Sequence, residues 1–466
     1  MHRHKLLKIL PRLSAKERKE FAKYYAANYG THRSGLEILR KTLHAIEQGT
    51  HTDPGLAQEV LPSRFDGKRK SKELLKLLRR LEDFLLQRHL ANSRWERNRT
   101  LLQIYRQRGI EDLFSDRLQL LRDQLSEEEQ PDLWHWYEAL WLSHWTYFNS
   151  FREHRQSSPV ALWEAFENLQ HFHDAAYLRY QCEFLNRQRV SGENVPPSVE
   201  HRAPHGRTQD TGHFYHYCYA LANTLILTGQ TATYRKLKEA LLQHPKRLAR
   251  RDQYVLITSL LNYTADRIIA GRVDYMAESL TLARWGMQHN VFEIDGVLND
   301  SHLLNFIDTA SKLGEFEQAT EWLDQHLSNI KAAHREAVRL LCEAMILMGQ
   351  TEYAAAQERL LHFRSQRIDF ELRYRWLYLQ CLYETDRHDS ALLDACASYE
   401  KYIRRSPLPD RQKRSALNVV HFLRQLTKAQ IDTTRLREKL LATEQIFLKS
   451  WLLEKIGERQ RRDQGN

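Results

Sequence analysis

Breakers are scarce in this chain of 466 residues, which holds 17 glycines and 11 prolines, against average usages of roughly 7% and 5%. Few breakers mean few turns, so a fold of many short strands joined by tight hairpins is excluded. No Val/Ile-rich alternating run bounded by turn residues occurs either, which removes the usual strand signal. Cysteine is equally sparse: Cys182, Cys218, Cys342, Cys381 and Cys396 lie scattered in apolar stretches and none forms a Cys-x-x-Cys pair. An odd count in so long a chain is no disulfide framework, and a reducing compartment is expected. Apolar runs stay far short of the roughly 18 residues a membrane span requires. The opening MHRHKLLKILPRLSAKE offers only a small apolar patch interrupted by Lys8, too short for a signal-peptide core. A cytoplasmic protein without membrane insertion is the expectation. Phosphate-loop, GxGxxG, GxSxG and HExxH signatures are missing too, so neither a catalytic residue nor a cofactor is predicted, and the chain reads as a non-enzyme.

What is present is charge at one end. Residues 1–100 carry 23 Lys and Arg against 11 Asp and Glu, whereas the other 366 carry 47 against 48, so the whole excess of +11 lies in the first fifth. A basic head on a nearly neutral body points to an anionic partner for the head. Within it, Ser14 and Glu17 have capping-box spacing at a helix start, and a second helix runs from Ser34 to Glu47. A loop-rich stretch punctuated by Pro54, Gly55, Pro62 and Gly67 comes next, with room for one short helix over 56–61. The run SKELLKLLRRLEDFLLQRHL then places Leu74, Leu75, Leu78, Leu81 and Leu85 on one stripe, and the pattern extends through Trp95 to Arg108. Lys72, Lys76, Arg79 and Arg80 fall on its other side, with Lys68, Arg69 and Lys70 upstream and Arg94, Arg97 and Arg99 downstream. Such a face can neutralise phosphates and bind nucleic acid without reading sequence, or cover apolar surface with its stems while remaining solvated.

Further along, Trp134, Tyr137, Trp141, Trp145 and Phe148 recur at helical spacing, the pattern of a core-facing stripe. A helix pair is predicted over 159–190, and the proline- and glycine-rich 191–212 reads as a linker carrying His201 and His205. Of the remaining histidines, His171 and His173 sit on different helix faces. His213 and His216 share a face but lack a third ligand at metal spacing, so no metal is predicted. Cys182, with these histidines nearby in sequence, could form a Cys/His nucleophile, but a small buried thiol is the commoner outcome. In YLRYQCEFLNRQRV, Arg179, Glu183, Asn186 and Arg187 lie within a turn or two of one another. They suit either a surface ion pair or a buried polar network joining the N-terminal part to the C-terminal half.

That C-terminal half echoes itself. Gly229, Gly271, Gly314, Gly349 and, in the same role, Asp386 each close one helical run and open another, at spacings of 42, 43, 35 and 37 residues. Five residues past each turn stand Tyr234, Met276, Ala319, Ala354 and Ala391, predicted to face the preceding helix. Periods in this range signify stacked helix pairs, whose business is presenting surface. SPLPD at 406–410 ends the array; two closing helices and a frayed charged tail complete the chain.

Two resemblances add to this. The segments LLKILPRLSAKERKEFAKYYAANYG, KELLKLLRRLEDFLLQRHL and LQHFHDAAYLRYQCEFLNRQRV resemble three landmarks of a family of uncharacterised all-helical bacterial proteins associated with the Bacteroidota and their relatives. The resemblance covers about residues 5–190; Ala26 to Gly30 depart from the Ser-Pro-aromatic turn common there. That family implies an all-helical fold and no activity. The stretch Gly314-Glu-Phe-Glu-Gln-Ala319 resembles the turn signature of tetratricopeptide (TPR) repeats, although the other turns depart from it and the period is longer.

The expectation is therefore an all-α protein. It comprises a basic N-terminal helical bundle (1–125), an aromatic-rich segment (126–190), a linker (191–212), an irregular TPR-like α-α solenoid (213–405), and capping helices with a tail (406–466). Its expected function is a protein-protein interaction scaffold holding a protein or peptide in a groove with Asn223, Asn262, Asn305 and Tyr374 as candidates. Nucleic-acid binding through Lys72, Lys76, Arg79 and Arg80 is the alternative.

Overall fold

The computed structural model describes residues 5–48, 67–128, 131–148, 159–191, 213–294, 296–385, 390–428, 430–444 and 446–465. The chain is all-α, and no helix among these residues is long and apolar enough to cross a membrane. The predicted short helix over 56–61, the predicted linker 191–212 except Ser191, which ends a helix, and the predicted turn at Asp386 lie outside the described residues. Two compact units are distinguished: Met1–Ser126 with His144–Ser158, and Glu127–Ser143 with Pro159–Asn466.

In the first unit, helix α1 (Lys5–Ile9) passes through one 3-10 turn to α2 (Ala15–Tyr29), followed by α3 (Arg33–Glu47), α4 (Gly67–Asn92), α5 (Arg94–Gln107) and α6 (Glu111–Ser126). The capping box at α2 is formed: the Glu17 amide donates to Ser14 Oγ at 3.2 Å and the Ser14 amide to Glu17 Oε2 at 2.7 Å. A core of Leu6, Leu10, Phe21, Tyr25, Ile38 and Leu39 packs on Leu74, Leu77, Leu78, Leu81 and Phe84 of α4. The predicted stripe is thus rotated: Leu77 and Phe84 are inside, while Leu75 is 43% exposed. Nor does α4 run on into the next helix. Ser93 breaks it by accepting a hydrogen bond from the Glu96 amide at 3.3 Å, capping α5.

The second unit is a succession of helices, most of which pack on their neighbours in sequence. Helix α7 (Leu133–Tyr147) is divided between the units, and α8 (Pro159–Ser191) is one helix of 33 residues rather than the predicted pair. No glycine or proline interrupts its interior, so nothing stops the first turn from propagating. Then come α9 (Phe214–Thr228) with α10 (Thr231–Gln243), α11 (Arg250–Ile269) with α12 (Asp274–Gln288), α13 (Asp300–Lys312) with α14 (Phe316–His326), α15 (Arg335–Gly349) with α16 (Tyr353–Leu361), and α17 (Ile368–Thr385) with α18 (Ser390–Arg405). Each pair packs together, and first helices meet across pairs at α8–α9, α9–α11, α13–α15 and α15–α17. Between α12 and α13 a two-residue ladder pairs Glu293 with Leu298 and Ile294 with Val297, a strand contact too short to leave a sequence pattern. Instead of two closing helices there are three, α19 (Asp410–Leu426), α20 (Thr433–Ala442) and α21 (Lys449–Gly465); the charged tail is helical, not frayed. Lys455 anchors α21 to Glu384 of α17 at 2.9 Å and pairs with Glu458 within its own helix, also at 2.9 Å.

The turn rule needs one revision. Gly229, Gly271 and Gly314 adopt φ of 61°, 91° and 77°, the left-handed region that favours glycine. Gly349 does not; it ends α15, and the left-handed residue of that turn is Thr351, at φ 65°. Counting five residues from Thr351 gives Ala356, fully buried, whereas Ala354 is exposed. Tyr234 and Ala319, five past Gly229 and Gly314, are likewise buried. The left-handed residue, not the glycine, gives the register at these three turns; Met276, five past Gly271, is only partly buried.

Candidate functional site

Side chains from α8, α11 and the start of α13 line a groove of about 510 Å³. Helix α8 contributes Glu183, Asn186 and Arg187; α11 contributes Tyr254, Val255, Thr258 and Asn262; Asn299, Ser301, His302 and Asn305 complete it. These positions recur at helical spacing because the opposite faces are core: Leu256, Ile257, Leu260 and Tyr263 on α11, and Leu303, Leu304, Phe306 and Ile307 on α13. Asn299 caps α13 by accepting from the Ser301 amide at 3.0 Å. Asp300 beside it accepts from Arg367, and lies 2.8 Å from His334 Nδ1, so the groove's third wall is tied to α15 and the start of α17.

The four residues singled out on α8 separate into two roles. Glu183 and Arg187 pair at 3.1 Å on the surface, 56% and 57% exposed. Arg179 and Asn186 turn to the interior. Arg179 Nη1 donates at 2.8 Å to the carboxylate of Asp252, which is fully buried and also accepts from the Tyr219 hydroxyl at 2.6 Å. Burial raises the Asp252 pKa; the Tyr219 hydroxyl and Arg179 pull against that rise. Asn186 Nδ2 donates to Ser259 Oγ at 3.1 Å and approaches Cys182 Sγ at 3.6 Å. Asp252, Tyr219 and Ser259 left no signal in the sequence. A polar residue amid apolar helix looks like a solvated position until its partners, far along the chain, are known.

Of the predicted groove residues, Asn262 and Asn305 line it. Asn223 instead is buried, donating to the Leu178 carbonyl and Gln181 Oε1 at 3.0 Å each. Tyr374 stacks between Phe363 and Tyr378. The aromatic stripe of α7 also needs correction: Leu133, Trp136 and Leu142 are buried, whereas Trp134 is 60% exposed. Trp136 packs against His171, His213 and His216, a cluster that the sequence distances concealed. No group of three or more metal-ligating side chains is arranged for an ion among the described residues.

Those histidines are held neutral. Burial lowers the pKa of His171 and His216, and lowers His213 to about 4, with neighbouring imidazoles adding to the effect there; burial also takes His302 to about 4. Unfolded histidine titrates near 6.5. Below that pH the unfolded chain binds more protons than the folded one, so stability is complete above about pH 6.5 and is lost as pH falls toward 4. Urea unfolding at pH 7 and 4.5 should show a loss of at least about 2 kcal/mol, reduced in a His213→Gln variant; an equal loss in that variant would remove His213 from the account.

On α4, Lys72, Lys76 and Arg79 are exposed, while Arg80 is half-buried over the Tyr29 ring at 4.1 Å. Lys76 pairs with Glu73 at 2.8 Å and Arg80 with Asp83 at 3.3 Å, so part of the basic face is already neutralised. The side chains of Lys68, Arg69 and Lys70 lie outside the described residues. All five cysteines are buried free thiols. Desolvation pushes Cys182 up to about 12, which keeps it a thiol at neutral pH and unsuited to nucleophilic attack. No protein-family model, curated protein or solved structure matches this chain.

Proposed function

We propose that the chain is a non-catalytic interaction scaffold: an irregular, TPR-like α-α solenoid that holds a polypeptide partner in the groove of its second unit. The observation that carries this reading is the groove itself, walled by α8, α11 and α13 and floored by carboxamides and hydroxyls rather than by a nucleophile or a paired acid and base. First helices in contact at α9–α11, α13–α15 and α15–α17, α12 meeting α13 between them, and second helices packed on their partners support a stack of helix pairs. Kinship of residues 5–190 with the all-helical bacterial family belongs to the same proposal, as does a cytoplasmic setting, which the five buried thiols suit. The alternative, nucleic-acid binding through the α4 face, has less support because Lys76 and Arg80 are spoken for by Glu73 and Asp83.

A photo-crosslinking residue at Thr258, inside the groove, should join a defined polypeptide in lysate of the source cell, identifiable by mass spectrometry. The same residue at exposed Glu317 on α14 should not. Equal labelling at both positions, or none at Thr258, would overturn the proposal.

A further inference from the structure

We infer that the groove grips the main chain of an extended, uncharged peptide segment through a fixed acceptor on Asn262 and a fixed donor on Asn305. This rests on the scaffold reading and adds the chemistry of what is bound.

The polarity of both carboxamides is set by their partners. A guanidinium only donates, and Arg373 Nη2 donates to Asn305 at 2.6 Å, so that contact must be the carboxamide oxygen. Asn305 Nδ2 is left over and makes no hydrogen bond among the described residues. At Asn262 the orientation is set by a relay. The Ser259 hydroxyl gives its proton to the Val255 carbonyl at 3.0 Å, so toward Asn186 it can only accept. Asn186 therefore presents Nδ2 to Ser259 and its oxygen to Asn262, which donates Nδ2 at 3.3 Å. Asn262 Oδ1 is the atom left over. The usual ambiguity of amide orientation is thus removed at Asn305 by a guanidinium that can only donate and at Asn262 by the hydrogen bond that commits the Ser259 proton to the Val255 carbonyl.

One open acceptor and one open donor, on the two inner walls, complement the N–H and C=O that every peptide unit carries. A helical ligand has already spent those groups internally, so the segment must be extended. Its side chains should be uncharged. Glu183 and Arg187 cancel one another at the rim, and His302 is neutral, lying 3.2 Å from the Tyr254 hydroxyl, toward which Asn299 also donates at 3.4 Å. A charged side chain would be desolvated there without a counter-charge. A volume of about 510 Å³ is of the size that holds a short stretch of chain.

The probe is a pooled library of N-acetylated, C-amidated hexapeptides built from Ala, Ser, Gln and Val, alongside the same library with backbone nitrogens methylated. Both are offered to the full chain at up to about 1 mM, the weak end of measurable affinity. The unmethylated pool should bind, and methylation, which removes the donor for Asn262, should abolish it. Asn305→Asp keeps an oxygen for Arg373 while turning the open donor into an acceptor; it should weaken binding by about tenfold or more with the thermal midpoint unchanged or raised. Asn262→Leu should do the same to binding. No binding by the unmethylated pool, equal binding by the methylated one, or unaltered affinity in Asn305→Asp would overturn the inference. Crosslinking at Thr258 together with methylation-insensitive binding would leave the scaffold reading standing and remove this one. Peptide binding without any cellular crosslink would do the reverse.

Discussion

Replacing Arg179 by alanine is expected to destabilise the second unit by about 3–5 kcal/mol, the range found when one member of a buried ion pair is removed. Asp252 is fully buried; its Oδ1 accepts from both Arg179 and Tyr219, and Oδ2 has no hydrogen-bond partner among the described residues. With Arg179 gone, a carboxylate in an apolar surround must either stay charged at high cost or take up a proton. Folding would then become more strongly pH-dependent, because Arg179 is one of the groups that pull against the rise burial imposes on the Asp252 pKa. Two comparisons separate this from simple loss of packing. Arg179→Met keeps most of the apolar stem and should be nearly as damaging. Arg179→Met combined with Asp252→Leu should recover much of the loss, since an apolar pair of similar size can replace a buried ion pair at little cost. Urea unfolding read by tryptophan fluorescence measures all three. If Arg179→Met proves harmless, the ion pair does not hold α8 to α11.

The second large effect is expected at Gly349. A Cβ there would lie 2.6 Å from the Ser311 carbonyl oxygen and 2.8 Å from the Phe316 ring, so α13 and α15 cross where only a hydrogen atom fits. Ser311 is backbone in this contact and cannot rotate away. Gly349→Val should therefore cost about 3 kcal/mol through forced separation of the two helices, despite the better helix propensity of valine over glycine. Gly314 provides the contrast: nothing lies within 4 Å of its Cβ position, and its φ of 77° is the whole constraint. Gly314→Ala should cost only about 1–2 kcal/mol, the left-handed penalty. Melting midpoints rank the two directly, and a smaller effect at Gly349 than at Gly314 would contradict the packing argument. Two glycines that look alike in the chain thus do different work.

That difference marks how much could be read beforehand. Helical periodicity, scarce breakers and the capping box at Ser14 are local properties, and they place helices along most of the chain while missing the break at Ser93 and the continuity of α8. Rotation is harder to read. Leu75 and Leu77 have the same character, yet only Leu77 is inside, because the width of the buried face depends on what packs against it. Trp134 and Trp136 exchange places for the same reason, with Trp136 taken up by histidines from α8 and α9. The carboxamide site was half legible: Asn262 and Asn305 stood out by their places on first helices, whereas Asn223 on an equivalent helix proved to be core. What distinguishes them is the neighbour across the gap.

Residue order was enough to establish that the chain is helical, where most helices begin and end, and that excess positive charge is confined to the first fifth. Those features depend on backbone preferences and residue spacing within a few turns. Folding in three dimensions settled which faces are buried, that Thr351 takes over a glycine's conformation, and that Asp252 receives Arg179 and Tyr219. It alone fixed the open atoms of Asn262 and Asn305, because a carboxamide's orientation is set by partners such as Asn186 and Arg373 that folding brings within hydrogen-bond reach from far along the chain.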